Sequence, residues 1–205
     1  HPWVICQKYA SKANLNKGLE HGVECIRISD TNLLDGVVPG MVGVHLHGNL
    51  SENLLQGVVY WADGAAVSGS AILDLSEGMP VNVGDFTEHV KVWSSALPKF
   101  YTWGVDAASW QDRGMLAKDA LKCAMKYAKR GLDALVSEGY ILEKAASKCA
   151  IKVAVTTDII ASASMVRGLR VAWATLIDQM GGDGDNTPLR IDAITSSVLY
   201  TEENP

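Results

Sequence analysis

Two histidines are separated by a single apolar residue, a spacing that places both imidazoles on one face of a strand. They are His45 and His47, on either side of Leu46. Metal sites often use histidines placed in this way, but a third ligand would have to come from a neighbouring strand, and the sequence identifies none. We therefore predict no metal ligands. We interpret His47 as a polar group at a strand end, where parallel sheets bind their ligands.

A second group of polar side chains follows an aromatic-rich strand predicted over residues 100–105. Asp106, Trp110, Gln111 and Asp112 bring two carboxylates, an indole and an amide into the loop after this strand. Parallel barrels build their binding sites from loops that follow the carboxyl ends of strands, which favours a binding role for these residues. The alternative is a loop that only caps the helix after it.

Other kinds of chemistry have less support in the sequence. No serine lies in a Gly-x-Ser-x-Gly frame, so nucleophilic catalysis is not indicated. The glycine-rich run 181–185 carries two aspartates, which would repel a phosphate, and we interpret it as a connecting loop. His1, His21 and His89 lie in polar surroundings and are predicted at the surface.

The cysteines are far apart and include no Cys-x-x-Cys pair, the spacing that zinc ligands usually show. This spacing predicts reduced thiols in or near a hydrophobic core. Reduced thiols are typical of an intracellular protein, so we expect a cytoplasmic location. The four residues are Cys6, Cys25, Cys123 and Cys149.

Composition narrows the class of protein further. The 205 residues are 48% hydrophobic and 20% charged, which is typical of one globular domain rather than a disordered chain. A net charge of -5 argues against a nucleic-acid partner, since phosphates are usually bound by a basic surface. No apolar run is long enough to span a membrane. The chain begins His1-Pro2 without a methionine, and we expect that a natural N-terminus precedes it.

Strand-like and helix-like segments alternate along the chain. This alternation predicts parallel strands joined by right-handed crossovers, in either an open doubly wound sheet or an unfinished barrel. No linker-like run interrupts it, so we expect a single domain over residues 1–205. Strands are predicted at 23–29, 41–47, 70–75, 100–105, 150–155 and 189–194, and helices at 14–21, 54–61, 86–97, 116–135 and 158–179.

Three segments, in order, resemble the methylmalonyl-CoA mutase family. The first is Pro2–Gln7 with the helix that ends near Gly22, and the second is Val105–Gly114 with the helix after it. The third runs from Met165–Trp173 through Ile191–Ser196 to Thr201–Pro205. Residues 30–97 match the family only loosely.

The resemblance implies an acyl-CoA-binding TIM-type (β/α) barrel that is incomplete, with about six of eight βα units present. The parent enzyme interconverts methylmalonyl-CoA and succinyl-CoA with adenosylcobalamin. The Asp-x-His-x-x-Gly motif that supplies the family's cobalt ligand occurs nowhere in this sequence. We therefore expect that the cobalamin-binding domain is absent and that this chain binds no cofactor.

Departures from the family pattern indicate a catalytically inactive subunit. Catalytic members carry a Tyr-His pair where this chain has Ala108 and Ser109, and His and Gln near Thr195 where it has Asp192 and Ile194. The resemblance thus implies the small, non-catalytic subunit, a heterodimer partner of a homologous catalytic subunit, with no catalytic residues of its own. Candidate residues for substrate contacts at the barrel mouth are His47, Asp106, Trp110, Gln111 and Thr195.

Two alternatives remain open. One is a divergent acyl-CoA mutase barrel that acts on a different substrate, and the other is an unrelated α/β module that binds a small molecule. An incomplete barrel would also leave two strand edges unpaired, and such edges pair readily with other chains. We therefore expect self-association, or a rearranged fold, where the catalytic subunit is missing.

Overall fold

The structure, a computed structural model, describes residues 4–48, 50–78 and 83–196. Seven strands form one sheet in chain order, and strands alternate with helices along the chain. The strands are β1 (Cys6–Lys8), β2 (Cys25–Ile28), β3 (Gly43–Leu46), β4 (Gly69–Asp74), β5 (Phe100–Asp106), β6 (Cys149–Val155) and β7 (Arg190–Thr195). The helices are α1 (Lys12–Glu20), α2 (Glu52–Ala62), α3 (Val83–Ala96), α4 (Ala107–Asp112), α5 (Ala117–Ser137), α6 (Leu142–Ala146) and α7 (Ile159–Gln179).

The pairing is parallel from β1 through β4 and again from β5 through β7, which confirms the predicted α/β class. Of the seven strands in the described residues, the sequence predicted all but β1. β1 has only three residues, all exposed, so it lacks the alternation of buried and exposed positions that reveals a strand. The crossover from β2 to β3 also differs from a βα unit, because it holds a single 3₁₀ turn at Thr31–Leu34.

The chain divides into two compact units. The first contains the residues up to Leu73 together with His89–Thr102. Its core lies on one face of β2 and β3, where alternate residues are buried against α1, α2 and the 3₁₀ turn. The members of this core include Leu15, Ile26, Ile28, Leu34, Val44, Leu46, Leu54, Leu55 and Val58. The opposite face of the same strands carries Cys25, Arg27 and His45.

The second unit contains Asp74–Glu88 and the residues from Trp103 onward. Two of its tryptophans are almost fully buried, and each satisfies its indole N–H within the unit. Trp103 Nε1 donates to Ala145 O at 3.0 Å, and Trp173 Nε1 donates to Thr187 O at 2.9 Å. Asp158 caps α7 by accepting from Ala161 N. None of the described helices combines the length and the apolar character needed to cross a bilayer.

A glycine in the middle of α5 allows this helix to lie close to β5. A Cβ at Gly131 would lie 2.6 Å from Trp103 Cζ3 and 3.0 Å from Leu75 Cδ1. Gly168, in the middle of α7, is exposed and would place a Cβ in open space. The two glycines have the same backbone cost in a helix but opposite packing environments, so they form a matched pair.

We expect Gly131→Ala to destabilise the fold and Gly168→Ala to stabilise it. Alanine gains about 1 kcal/mol over glycine in a helix interior, but overpacking costs about 1–3 kcal/mol. The net change at Gly131 should therefore be unfavourable, whereas the change at Gly168 should approach the full helical gain. Urea denaturation measures both, and equal shifts of the two midpoints would contradict the close packing of α5 on β5.

His89 was predicted at the surface, and that prediction is wrong. Its ring is partly buried in the first unit, and its Nε2 donates to Ala71 O at 3.3 Å and Thr102 O at 3.1 Å. The ring also lies against Trp93, with 5.6 Å between centroids. Desolvation lowers the pKa of His89, and this effect outweighs the two carbonyl contacts that raise it. His21, in contrast, is exposed, as predicted.

The lowered pKa of His89 makes the stability of the fold sensitive to acid. The imidazole in the unfolded chain takes up a proton near its ordinary pKa of 6.5, while the folded imidazole resists protonation. Stability is therefore complete above pH 6.5 and falls below it, until the folded form also titrates. We expect the melting temperature of the wild type to fall as the pH drops below 6.5. His89→Gln should reduce this fall, whereas His21→Gln, at an exposed position, should leave it unchanged.

Candidate functional site

Three charged residues lie abreast on β5, β6 and β7, at the carboxyl end of β5 and in the middle of the other two strands. Asp106 is in register with Lys152, and Lys152 is in register with Asp192. Lys152 Nζ lies 2.5 Å from Asp106 Oδ2, with about a fifth of each side chain exposed. Arg190, on the same face of β7, binds Asp192 Oδ1 through Nε at 2.9 Å. The charges in this row are therefore paired with one another.

Asp106 also organises the chain around it. Its backbone N–H donates to Asp74 Oδ1 at 2.9 Å, which joins the end of β4 to the end of β5. Its Oδ1 accepts from Ser109 N and so forms the N-cap of α4. Residues 107–112, predicted as part of a loop, are therefore helical. The carboxylate of Asp106 therefore caps α4 and forms an ion pair with Lys152.

Gln111, one of the predicted site residues, extends the sheet with its side chain. Its Oε1 accepts from Ala154 N at 2.9 Å, and its Nε2 lies 3.4 Å from Ala154 O and 3.3 Å from Met165 Sδ. β5 has already ended at Asp106, so the side-chain amide takes the place of the next backbone partner of β6. The amide of Gln111 is thus occupied by the protein itself.

Trp110 and Thr195 lie apart from this amide contact. The Trp110 indole stacks at a tilt on the Tyr127 ring of α5, 5.8 Å between centroids, and Arg130 lies 5.6 Å from the same ring. Thr195 ends β7 and is exposed, and the residue after it, Ser196, donates to Asp112 Oδ1 at 2.7 Å. α4 is therefore tied to α5, β6 and the end of β7.

His47 belongs to the first unit, whereas the other four predicted site residues belong to the second. Its backbone N–H donates to Ile28 O at 3.0 Å, which continues the pairing of β3 with β2 by one residue. The ring is partly buried at the end of β3, as the sequence predicted for a polar group at a strand end. His45 lies inside β3 and contacts Ser70 Oγ through Nδ1 at 2.6 Å.

The positions that depart from the mutase pattern are filled by structural contacts. Ala108 is fully buried in α4. The Ser109 hydroxyl donates to Asp106 O at 2.9 Å and receives a contact from Arg113 Nη2 at 3.3 Å. Neither residue offers an aromatic ring or an imidazole.

The first unit contains a second candidate group that sequence reasoning did not single out. Cys6, Cys25 and His45 lie on neighbouring strands, and one potential ligand atom from each lies within 4.8 Å of the other two. Cys6 is exposed, Cys25 is buried and His45 is partly buried. The cysteines were predicted as thiols near a core, and only the register of β1, β2 and β3 brings them to the histidine. Cys25 and His45 lie in predicted strands, but Cys6 lies in β1, which the sequence did not reveal.

Together, these features define a parallel α/β protein with a row of paired charges across β5, β6 and β7 and a thiol–imidazole group on β1, β2 and β3. No protein-family model matches the chain. Comparison with curated proteins also finds no significant match.

We expect the Asp106–Lys152 pair to contribute more to stability than an ordinary surface ion pair. Lys129 and Asp133, paired across one turn of α5, are about half exposed and provide the control. Lys152→Met leaves a partly buried carboxylate without its cation, so the free energy of unfolding should fall by about 1–2 kcal/mol. Lys129→Met should cost less than about 0.5 kcal/mol. Equal losses of unfolding free energy in urea denaturation would show that the Asp106–Lys152 pair is no more stabilising than a surface pair.

Proposed function

We propose that this chain is a non-catalytic, barrel-type subunit of a methylmalonyl-CoA mutase, a structural partner of a homologous catalytic subunit. The observation that carries the proposal is that the residues at the carboxyl end of β5 are used in structural contacts. Its helix cap, ion pair and hydrogen bonds use Asp106, Ser109 and Gln111, and Ala108 is buried. Catalytic members of the resembled family need a tyrosine and a histidine at two of these positions.

The cofactor is assigned to the partner rather than to this chain. The sequence lacks an Asp-x-His-x-x-Gly motif, and the charged side chains in register on β5–β7 are paired with one another. These residues do not fit adenosylcobalamin. The proposal includes a cytoplasmic location, which the thiol state of the cysteines favours.

The strand edges support association. Within the described residues, β1 pairs only with β2, and β7 pairs only with β6. Alternate residues of a parallel strand turn their N–H and C=O groups to the same neighbour. Because Tyr9 N donates to Arg27 O, Lys8 turns its backbone groups away from β2. Exposed edges of this kind pair with other chains unless they are covered.

We expect the purified chain to produce no succinyl-CoA from methylmalonyl-CoA, with or without adenosylcobalamin and an added cobalamin domain. It should co-elute with a catalytic mutase subunit from the same source, and chromatography of the CoA esters gives the activity. Turnover by the chain alone would contradict the silent role and favour a divergent mutase. Failure to bind any catalytic subunit would favour an unrelated α/β module.

Light scattering provides the second readout of the same experiment. Without the partner, the chain should run above its monomer mass of 22.0 kDa. Lys8→Pro removes an outward N–H from β1 without breaking the pairing with β2, so it should lower the associated fraction. A monomer in the wild type would contradict association through the open edges.

A further inference from the structure

Cys6, Cys25 and His45 combine two sulfur ligands with one nitrogen ligand. Thiolate and imidazole donors together are the ligands that Zn²⁺ prefers in proteins, whereas Ca²⁺ and Mg²⁺ prefer oxygen. The three potential ligand atoms already lie within 4.8 Å of one another. Tetrahedral zinc with Zn–S bonds of about 2.3 Å needs ligand atoms roughly 3.5–3.8 Å apart. Closing the group around an ion therefore requires movements of about 1 Å or less.

Strand register explains why the three side chains meet. Cys6 is directly in register with Cys25, and Cys25 is in register with Gly43. His45, two residues beyond Gly43, points to the same face of β3. A Cβ at Gly43 would lie 3.6 Å from Cys25 Sγ, so the missing side chain leaves space beside that sulfur. The ring of His45 can use this space to approach the two cysteines.

Ser70 on β4 holds the imidazole in an orientation suited to a ligand. It is in register with His45, it is buried, and its hydroxyl lies 2.6 Å from His45 Nδ1. Histidines that bind metals usually form a hydrogen bond through the second ring nitrogen, which sets the tautomer and the direction of the first. Ser70 would serve Nδ1 in this way and leave Nε2 for the ion.

We propose that Cys6, Cys25 and His45 form a Zn²⁺ site with an open fourth position. Both cysteines would bind as thiolates, so each ion taken up releases two protons to solvent, and the ion balances the two negative charges. Cys6 is exposed, which leaves one side of the group accessible to water, and a three-ligand set with one water is the arrangement of reactive zinc centres. The ion would also fasten the three-residue edge strand β1 to the sheet.

Metal binding to the full reduced chain, free of affinity tags, tests this proposal. We expect one Zn²⁺ per chain in competition with a chromophoric chelator. Co²⁺ used as a spectroscopic probe should give a thiolate-to-cobalt charge-transfer band. Cys6→Ser is the main variant because Cys6 is exposed and its loss should leave the core intact, and Cys25→Ser and His45→Gln complete the ligand set. All three should abolish stoichiometric binding.

Two further variants distinguish a built site from adventitious binding. Ser70→Ala should weaken Zn²⁺ binding by about ten- to 100-fold while leaving the stoichiometry unchanged. Cys123→Ser, on α5 in the second unit, should have no effect. The proposal is overturned if Cys6→Ser binds Zn²⁺ as well as the wild type, or if the Co²⁺ spectrum lacks a thiolate band. The assay uses neither CoA ester nor cobalamin, so its outcome is independent of the proposed mutase role.

Discussion

The parallel register of the strands is the constraint on which both candidate sites depend. Pairing β1 with β2 and β2 with β3 brings two thiols and an imidazole together. Pairing β5 with β6 and β6 with β7 sets Asp106, Lys152 and Asp192 side by side. A slip of one residue in any of these pairings would turn the slipped strand's members to the helix-covered face, where charged groups and metal ligands have no place.

The two groups have different chemical consequences. In the second unit, each charged side chain of the row on β5–β7 has a partner of opposite sign, and Gln111 is bound to backbone, so these contacts stabilise the protein. In the first unit, two thiols and an imidazole converge on one point. A structural role for one part of the chain and ion binding by another are therefore compatible.

Prediction from the sequence succeeded where a periodic pattern was long enough to be read. Six strands and the long helices α5 and α7 are present, because alternation and helical spacing reflect burial over many residues. β1 and α4 were missed, since three and six residues carry too little pattern. The group around Asp106 was located correctly at a strand end. The hydrogen bonding of Gln111 to Ala154 was not predicted, because it depends on where β5 ends, which no local pattern encodes.

The amino-acid sequence by itself determined the α/β class, the order of most elements and the polar character of the strand ends. These properties follow from local propensity and from burial that repeats with the period of a strand or of a helix. The tertiary structure alone decided which distant residues meet. Cys6, Cys25 and His45 are separated in the chain by α1 and by a 3₁₀ turn, and only hydrogen bonding between strands makes them neighbours. Likewise, the close approach of Gly131 to Trp103 and the desolvation of His89 arise from packing between elements.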